Sequence, residues 1–475
     1  MPIRRLISTL LLYATLPAVA GESAQVDDTT ATAPPTHEAA ETIEFSEFDP
    51  VAVEAPAAVP IPGADAAVYA AAQQIQTGEY RDAELQLAAS IAEIERQTTR
   101  YDRSLAQPLM LLGDALSGQG KYAEALPAYE QARHVIRVND GLHTPAQVEI
   151  VYREANTLAA MGEIAKANAR QEYAYETLFR NHPRYDDALV PGILHLAAWY
   201  ERTFNIFAAR GLYEYAALIV LRTHGESDPG LIPALKGLAR TYREERFPVA
   251  QVPAEPDNSI EAVGPSGFPV NDRPITVNRF AEGERALVQI VRITQANPSA
   301  APLDVALAEL DLADWYLLFD NDERAITIYV HARQLMRLHA GLDEPQIDAY
   351  FKPPQALWLP IPGNPPAPDV RVNATQGHVE VSYTLTEHGE CTDLKTIDSQ
   401  PEGLMDTKVR RGLHFARFRP QFDGDVPVAA TNRVYRHTFT YYPRPPAPLP
   451  SNQARGHTQQ DPDQGKAEDP TNNGA

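Results

Sequence analysis

Between about Ala64 and Ala340 the apolar positions recur at helical spacing, and small residues recur among them in a fixed frame. From Leu112 to Ala132 the frame reads Leu112-Gly113, Leu116, Gly120, Tyr122, Ala125, Tyr129 and Ala132. It returns 42 residues later as Ala155, Leu158, Gly162, Ile164, Ala167 and Ala174, and 42 further on as Leu196-Ala197, Tyr200, Ile206, Ala209, Tyr213 and Ala216. One step back gives Ala70-Ala71, Gly78, Tyr80, Ala83 and Leu87, and a last copy reads Leu312-Ala313, Tyr316, Ala325, Tyr329 and Ala332. The copy before that is split, with a first helix from Leu238-Ala239 to Tyr242 and a second restarting at Phe280-Ala281. A constant period of this length predicts six stacked helical hairpins, none of which can bury its apolar face alone. Loops of one flavour separate them: Gly141 to Pro145, Gly225 to Pro229 and Gly341 to Pro345. Gly permits the left-handed turn that ends a helix, and Pro starts the next without needing its amide.

Beyond Asp369 the period changes to two. Val379, Val381, Tyr383 and Leu385 alternate with His378, Glu380, Ser382 and Thr384, a half-buried strand. Glu387-His388-Gly389 is a turn, and Cys391 to Ile397 a second strand. Pro401 to Arg417 reads as a helix with Met405, Val409, Leu413 and Ala416 on one face. Arg433 to Tyr442 reads as a third strand, with Tyr435, Phe439 and Tyr441 on one face. The fold class expected is therefore mainly α: a solenoid over residues 64–340, then a small α+β module of order β-β-α-β over residues 369–442.

The remaining segments carry other patterns. Arg4-Arg5, the apolar run Leu6 to Leu16 and Ala18-Val19-Ala20 have the layout of a cleavable signal peptide, residues 1–20. An uncleaved inner-membrane anchor is the alternative; after cleavage no integral membrane span is expected. Residues 21–63 are rich in Ala, Pro and acids and read as a disordered spacer, as does the tail 443–475. The Pro-rich insert 247–277 cannot be helix and is either a disordered or crossing loop or a binding loop. Residues 341–368 form a linker or a strap; Tyr350, Phe351 and Trp358 favour the strap.

The chain has 475 residues, a net charge of −22 and no basic cluster, which argues against nucleic acid and against an anionic membrane surface. Its one cysteine, Cys391, excludes an intramolecular disulfide and is expected buried. No metalloprotease, phosphate-loop, nucleophile-elbow or cysteine-pair pattern is present, so no catalytic residue, metal or cofactor is assigned. Asp320-Asn321-Asp322-Glu323 lacks the rest of a calcium loop and falls where a tight interhelical turn is expected.

The helical frame resembles the tetratricopeptide repeat in its longer-period form. The C-terminal order, with Gly377-x-Val379-x-Val381, Gly389, Ser399, Leu404-Met405-Asp406 and Phe418-x-Pro420, resembles the C-terminal domain of the TonB energy-transducer family. The first resemblance implies that the first helix of each hairpin lines a groove that binds extended peptides. There Lys236, Arg240 and Arg243 share one helical face and could hold an acidic peptide or a C-terminal carboxylate. The alternative is a solvated face paired with Glu244 and Glu245. The matching positions of other repeats are Asp114, Asn156 and Asp314. The second resemblance implies that the last strand, through Arg433, Val434, Tyr435 and Arg436, borders an edge where a receptor segment adds as a strand. Arg433 and Arg436 also serve to guard such an edge against self-pairing.

Together these imply a periplasmic adaptor that binds proteins or peptides, docking on a TonB-dependent outer-membrane receptor or an envelope complex. A true energy transducer, anchored in the inner membrane, is the alternative. Energy-transducing members carry a His in an uncleaved N-terminal helix, and Leu6 to Leu16 has none.

Overall fold

The computed structural model describes residues 66–248, 279–360, 363 and 373–443. The expected signal peptide, acidic spacer, most of the insert and the tail lie outside them. Among the described residues, no helix is long and apolar enough to cross a membrane.

Twelve helices form six antiparallel hairpins: α1 (Ala66–Gln76) with α2 (Tyr80–Gln97), α3 (Ala106–Gly118) with α4 (Tyr122–Asp140), α5 (Val148–Ala160) with α6 (Ile164–Asn181), α7 (Val190–Arg202) with α8 (Ile206–Thr223), α9 (Ile232–Arg246) with α10 (Phe280–Ala296), and α11 (Pro302–Leu318) with α12 (Asp322–Leu338). Each second helix also packs on the first helix of the next hairpin, so the array is a tetratricopeptide-type solenoid. Ala83, Ala125, Ala167, Ala209 and Ala325, each fourth in its helix, are all fully buried. A larger side chain there would hold the two helices of a hairpin apart.

In the split hairpin the frame residue is not Ala281, which is exposed, but Gly283, again fourth in its helix. A Cβ on Gly283 would stand 2.1 Å from the Trp315 ring, so the bulk supplied elsewhere by Ala is supplied here by α11. The Pro-rich insert resets the count and moves the frame two residues on from where the alanine pattern points.

The tight turn within every hairpin but the fifth, which the insert interrupts, needs a left-handed residue. Gly78, Gly120 and Gly162 supply it, and Phe204 and Asp320 take the same conformation in later copies. Before α3, α5, α7 and α9 the chain makes a short 3-10 turn whose first amide pair is closed by a side chain. Asp102, Thr144, Asp186 and Asp228 accept from the backbone N–H two residues on. Pro145 and Pro229 thus begin these 3-10 turns rather than the helices themselves.

After α12 a short helix α13 (Glu344–Asp348), capped by Asp343, leads into the strap. Phe351 is fully buried in the core of the last hairpin, with the Tyr329 ring at 5.9 Å. Strand β1 (Ala356–Trp358) follows, and the Trp358 ring packs on Phe247 at 5.2 Å.

The C-terminal module holds a three-stranded antiparallel sheet. Its strands are β2 (Thr375–Leu385), β3 (Cys391–Gln400) and, at the far end of the module, Ala430–Tyr441, in the order β3, β2, last strand. Helix α14 (Asp406–Phe415) packs on β2 and β3, closing a core of Val379, Val381, Tyr383, Leu385, Met405, Val409, Leu413, Tyr435 and Phe439. Cys391 is buried in that core. The helix is shorter than the Pro401–Arg417 span expected from the sequence. Gly403, left-handed at φ +79°, holds Met405 out of helix and donates its amide to Asp406. Strand β4 (Arg417–Phe418) pairs with β1, and β5 (Gln421–Asp423) forms a small hairpin with β6 (Val426–Val428). The last strand, Ala430–Tyr441, is β7.

Candidate functional site

The polar side chains between first helices repeat one arrangement. In the second hairpin the Tyr129 hydroxyl donates to Asp114 (2.7 Å), which also accepts from Arg153 of the next first helix at 2.8 and 3.0 Å. In the fourth, Tyr213 donates to Glu201 (2.6 Å), which accepts from Arg240 of α9 at 2.6 and 3.0 Å. In the sixth, Tyr329 donates to Asp314 (2.6 Å), but among the described residues no further helical hairpin follows. Arg419 of the C-terminal module takes the place of the next arginine, at 3.0 and 2.6 Å from the two Asp314 oxygens. It also donates to the Tyr350 carbonyl (2.6 Å) and to Gln355 (3.2 Å) of the strap.

The third hairpin departs from the pattern. Its tyrosine position is Gln171, buried with neither amide atom hydrogen-bonded. His195, one period after Arg153, stacks instead on Tyr152 with ring centroids 3.8 Å apart. Burial, with Arg202 adding, pulls the His195 pKa down to about 4.

Other contacts secure the module to the last hairpin. Phe422 of β5 enters the solenoid core beside Phe351, ring centroids 5.2 Å apart. The fully buried Arg333 guanidinium lies 5.0 and 5.3 Å from these two rings and pairs with Glu344 and Asp348. Arg417 reaches Asp320 at 2.8 Å and Arg337 reaches Asp425 at 3.1 Å. Asp320, drawn by its sequence toward a calcium loop, is thus a left-handed turn residue that holds Arg417.

The sequence-predicted residues separate on this framework. Asp114, Arg240 and Asp314 sit inside the three Tyr–carboxylate–Arg clusters, whereas Asn156 is exposed. Lys236 pairs with Asp311 of α11 at 3.3 Å. Arg243 is half-buried; burial lowers its pKa against the fields of Glu244 and Asp314. Glu244 is pushed up to about 8, by burial first and by Glu201 second. The stripe is therefore not a solvated face paired within its own helix. Arg240 and Lys236 reach across to neighbouring first helices, and Glu245 is taken by Arg210 at 2.7 Å.

On β7, Tyr435 points into the module core, Val434 is half-buried, Arg433 donates to Gln421 (3.2 Å) and Arg436 to Glu380 (2.9 Å). Among the described residues the strand is paired on one side only, with β2. The strap was expected from Tyr350, Phe351 and Trp358, but Arg419 and Phe422, which also build the junction, were not singled out in the sequence. Phe418-x-Pro420 drew notice as part of the C-terminal resemblance and not for the residue between them.

No family model matches the chain, and no curated protein matches it. Solved structures similar to it include BtubC (BKLC) from P. vanneervenii, 13% identical over 64% of this chain and 96% of that one, with a TM-score of 0.38. Another is the Podosopora anserina putative kinesin light chain with nearly identical TPR-like repeats, 18% identical over 37% and 84%, with a TM-score of 0.33. At these values neither likeness carries a functional argument. The class is defined by the chain's own geometry: a tetratricopeptide-type solenoid closed at its C-terminal end by a small α+β module.

Proposed function

We propose that this chain is a protein-binding scaffold of the cell envelope, exported by its N-terminal segment. The solenoid offers one partner an extended surface, and the C-terminal module offers a second partner the β7 edge. The observation that carries the two-ended reading is the position of β7. It lies at the sheet edge, while the module's other side is spent on the solenoid through Arg419, Arg417 and Phe422. A partner strand adding beside β7 would bond through main chain, leaving the Arg436–Glu380 pair in place. The resemblance to the TonB C-terminal domain supports a receptor or envelope complex as that partner. Because the module is bound into the solenoid end, partner and solenoid would move as one body.

The test is site-specific photocrosslinking in periplasm, with the reactive group at Arg436 on β7 and, as a control, at exposed Arg96 of α2. A defined envelope adduct from Arg436 that Arg96 does not give supports the proposal; identical adducts from both refute edge docking. N-terminal sequencing of the mature chain separates the adaptor from an anchored energy transducer. A start at Gly21 supports the adaptor, and an intact Met1 or Pro2 refutes it.

A further inference from the structure

The face of the sheet turned away from α14 carries three potential ligands. His378 and Glu380 stand two apart on the central strand β2, so they share that face, opposite to buried Val379 and Val381. Asp398 of β3 lies directly across the ladder from Glu380. The His378 Nε2 atom is 2.9 Å from an Asp398 carboxylate oxygen, and one ligand atom from each of the three residues lies within 4.8 Å of the others.

Two carboxylates directly opposed across strands repel, so this register needs a cation between them. Arg436 meets part of that need by donating to Glu380 at 2.9 Å. The His378 and Glu380 side chains are only 19% and 17% exposed, held by strands on both sides, whereas Asp398, on the outer strand, is 61% exposed. A metal bound at about 2.0–2.2 Å from each ligand needs donor separations of roughly 3–4 Å, which turning Asp398 supplies.

We propose that His378, Glu380 and Asp398 form a divalent transition-metal site that pins β2 to β3. One imidazole nitrogen with two carboxylates suits a borderline ion such as Zn²⁺ better than Ca²⁺, which takes six or more oxygens. The remaining positions face solvent and take water. Arg436 competes with the metal for Glu380.

The test is calorimetric titration of the chelator-stripped full chain with Zn²⁺ alone at pH 7.5. One equivalent is expected at micromolar metal. His378→Ala and Asp398→Asn should each weaken it by at least about tenfold, and Arg436→Gln should tighten it. Asp398 is exposed, so its variant keeps the fold, checked by circular dichroism. Absence of a stoichiometric site, one that appears only at millimolar metal, or one indifferent to Asp398→Asn would overturn the proposal.

Discussion

Asp314 holds Arg419 as Asp114 holds Arg153: each carboxylate takes two bonds from one guanidinium and one from the tyrosine of its own hairpin. In the interior of the solenoid the arginine comes from the next first helix. At the end it comes from the module, which completes the last hairpin as a further repeat would. A solenoid end left open would expose the apolar face that each next hairpin covers, and Phe351 and Phe422 cover it here.

Removing the arginine should therefore loosen the module. Arg419→Ala leaves Asp314 and Tyr329 without their cation in a setting where both charged side chains are at most 16% exposed, at a cost of about 3 kcal/mol. Limited proteolysis should cut within the module, residues 373–443, faster in this variant than in the parent chain. Equal rates would separate Arg419 from docking.

The same logic sorts the basic stripe of α9. Arg240→Ala strips Glu201 and Tyr213 of a two-bond partner and should lower stability by about 3 kcal/mol. Lys236, nearly half exposed and paired with Asp311 alone, should cost under about 1 kcal/mol when changed to Ala. Denaturant unfolding of the two variants measures the difference.

Gly113 sits under the Tyr129 ring, where a Cβ would come within 2.4 Å of it. Tyr129 is buried and its hydroxyl is held by Asp114, so the ring cannot retreat. Gly113→Ala should destabilise by about 1–3 kcal/mol through overpacking, although Ala is the better helix former by about 1 kcal/mol. A thermal melt raised by this change would contradict the packing.

His195 sets a pH dependence. Its folded pKa, about 4, lies below the ordinary 6.5, so the unfolded chain binds the extra proton first. The contribution is fully present above pH 6.5 and is lost as pH falls toward 4. His195→Gln should flatten that part of the stability profile, measured as the melting temperature at pH 7.5 and pH 5.

Cys391 should ignore thiol reagents in the native chain. It is 2% exposed and its pKa is pushed up to about 12, chiefly by burial. A colorimetric disulfide reagent at pH 8 should react only after unfolding; prompt reaction would place the thiol at the surface.

The hairpins were legible in the sequence because close helix approach demands small residues at one position, and a fixed period repeats the demand. Where the insert broke the period, the restart was read at Phe280-Ala281, and the buried frame residue is Gly283. The strands of the module were legible from alternation at Val379 to Leu385. The helix start was misplaced because the left-handed turn at Gly403 interrupts an apolar spacing that continues through it. Arg419 was not legible as a docking residue: its partner lies 105 positions back, and no local pattern marks a pair so far apart. His378 and Glu380 likewise read as ordinary outward positions, and Asp398 lay just past the expected second strand, until the register of β2 and β3 set them side by side.

The most direct test is a double-mutant cycle on Asp314→Asn and Arg419→Gln, read by chemical denaturation of the full chain. A module that serves as the terminal repeat predicts a coupling energy near the top of the range of about 0.5–3 kcal/mol found for residues in contact. Additive effects, with no coupling, would contradict it.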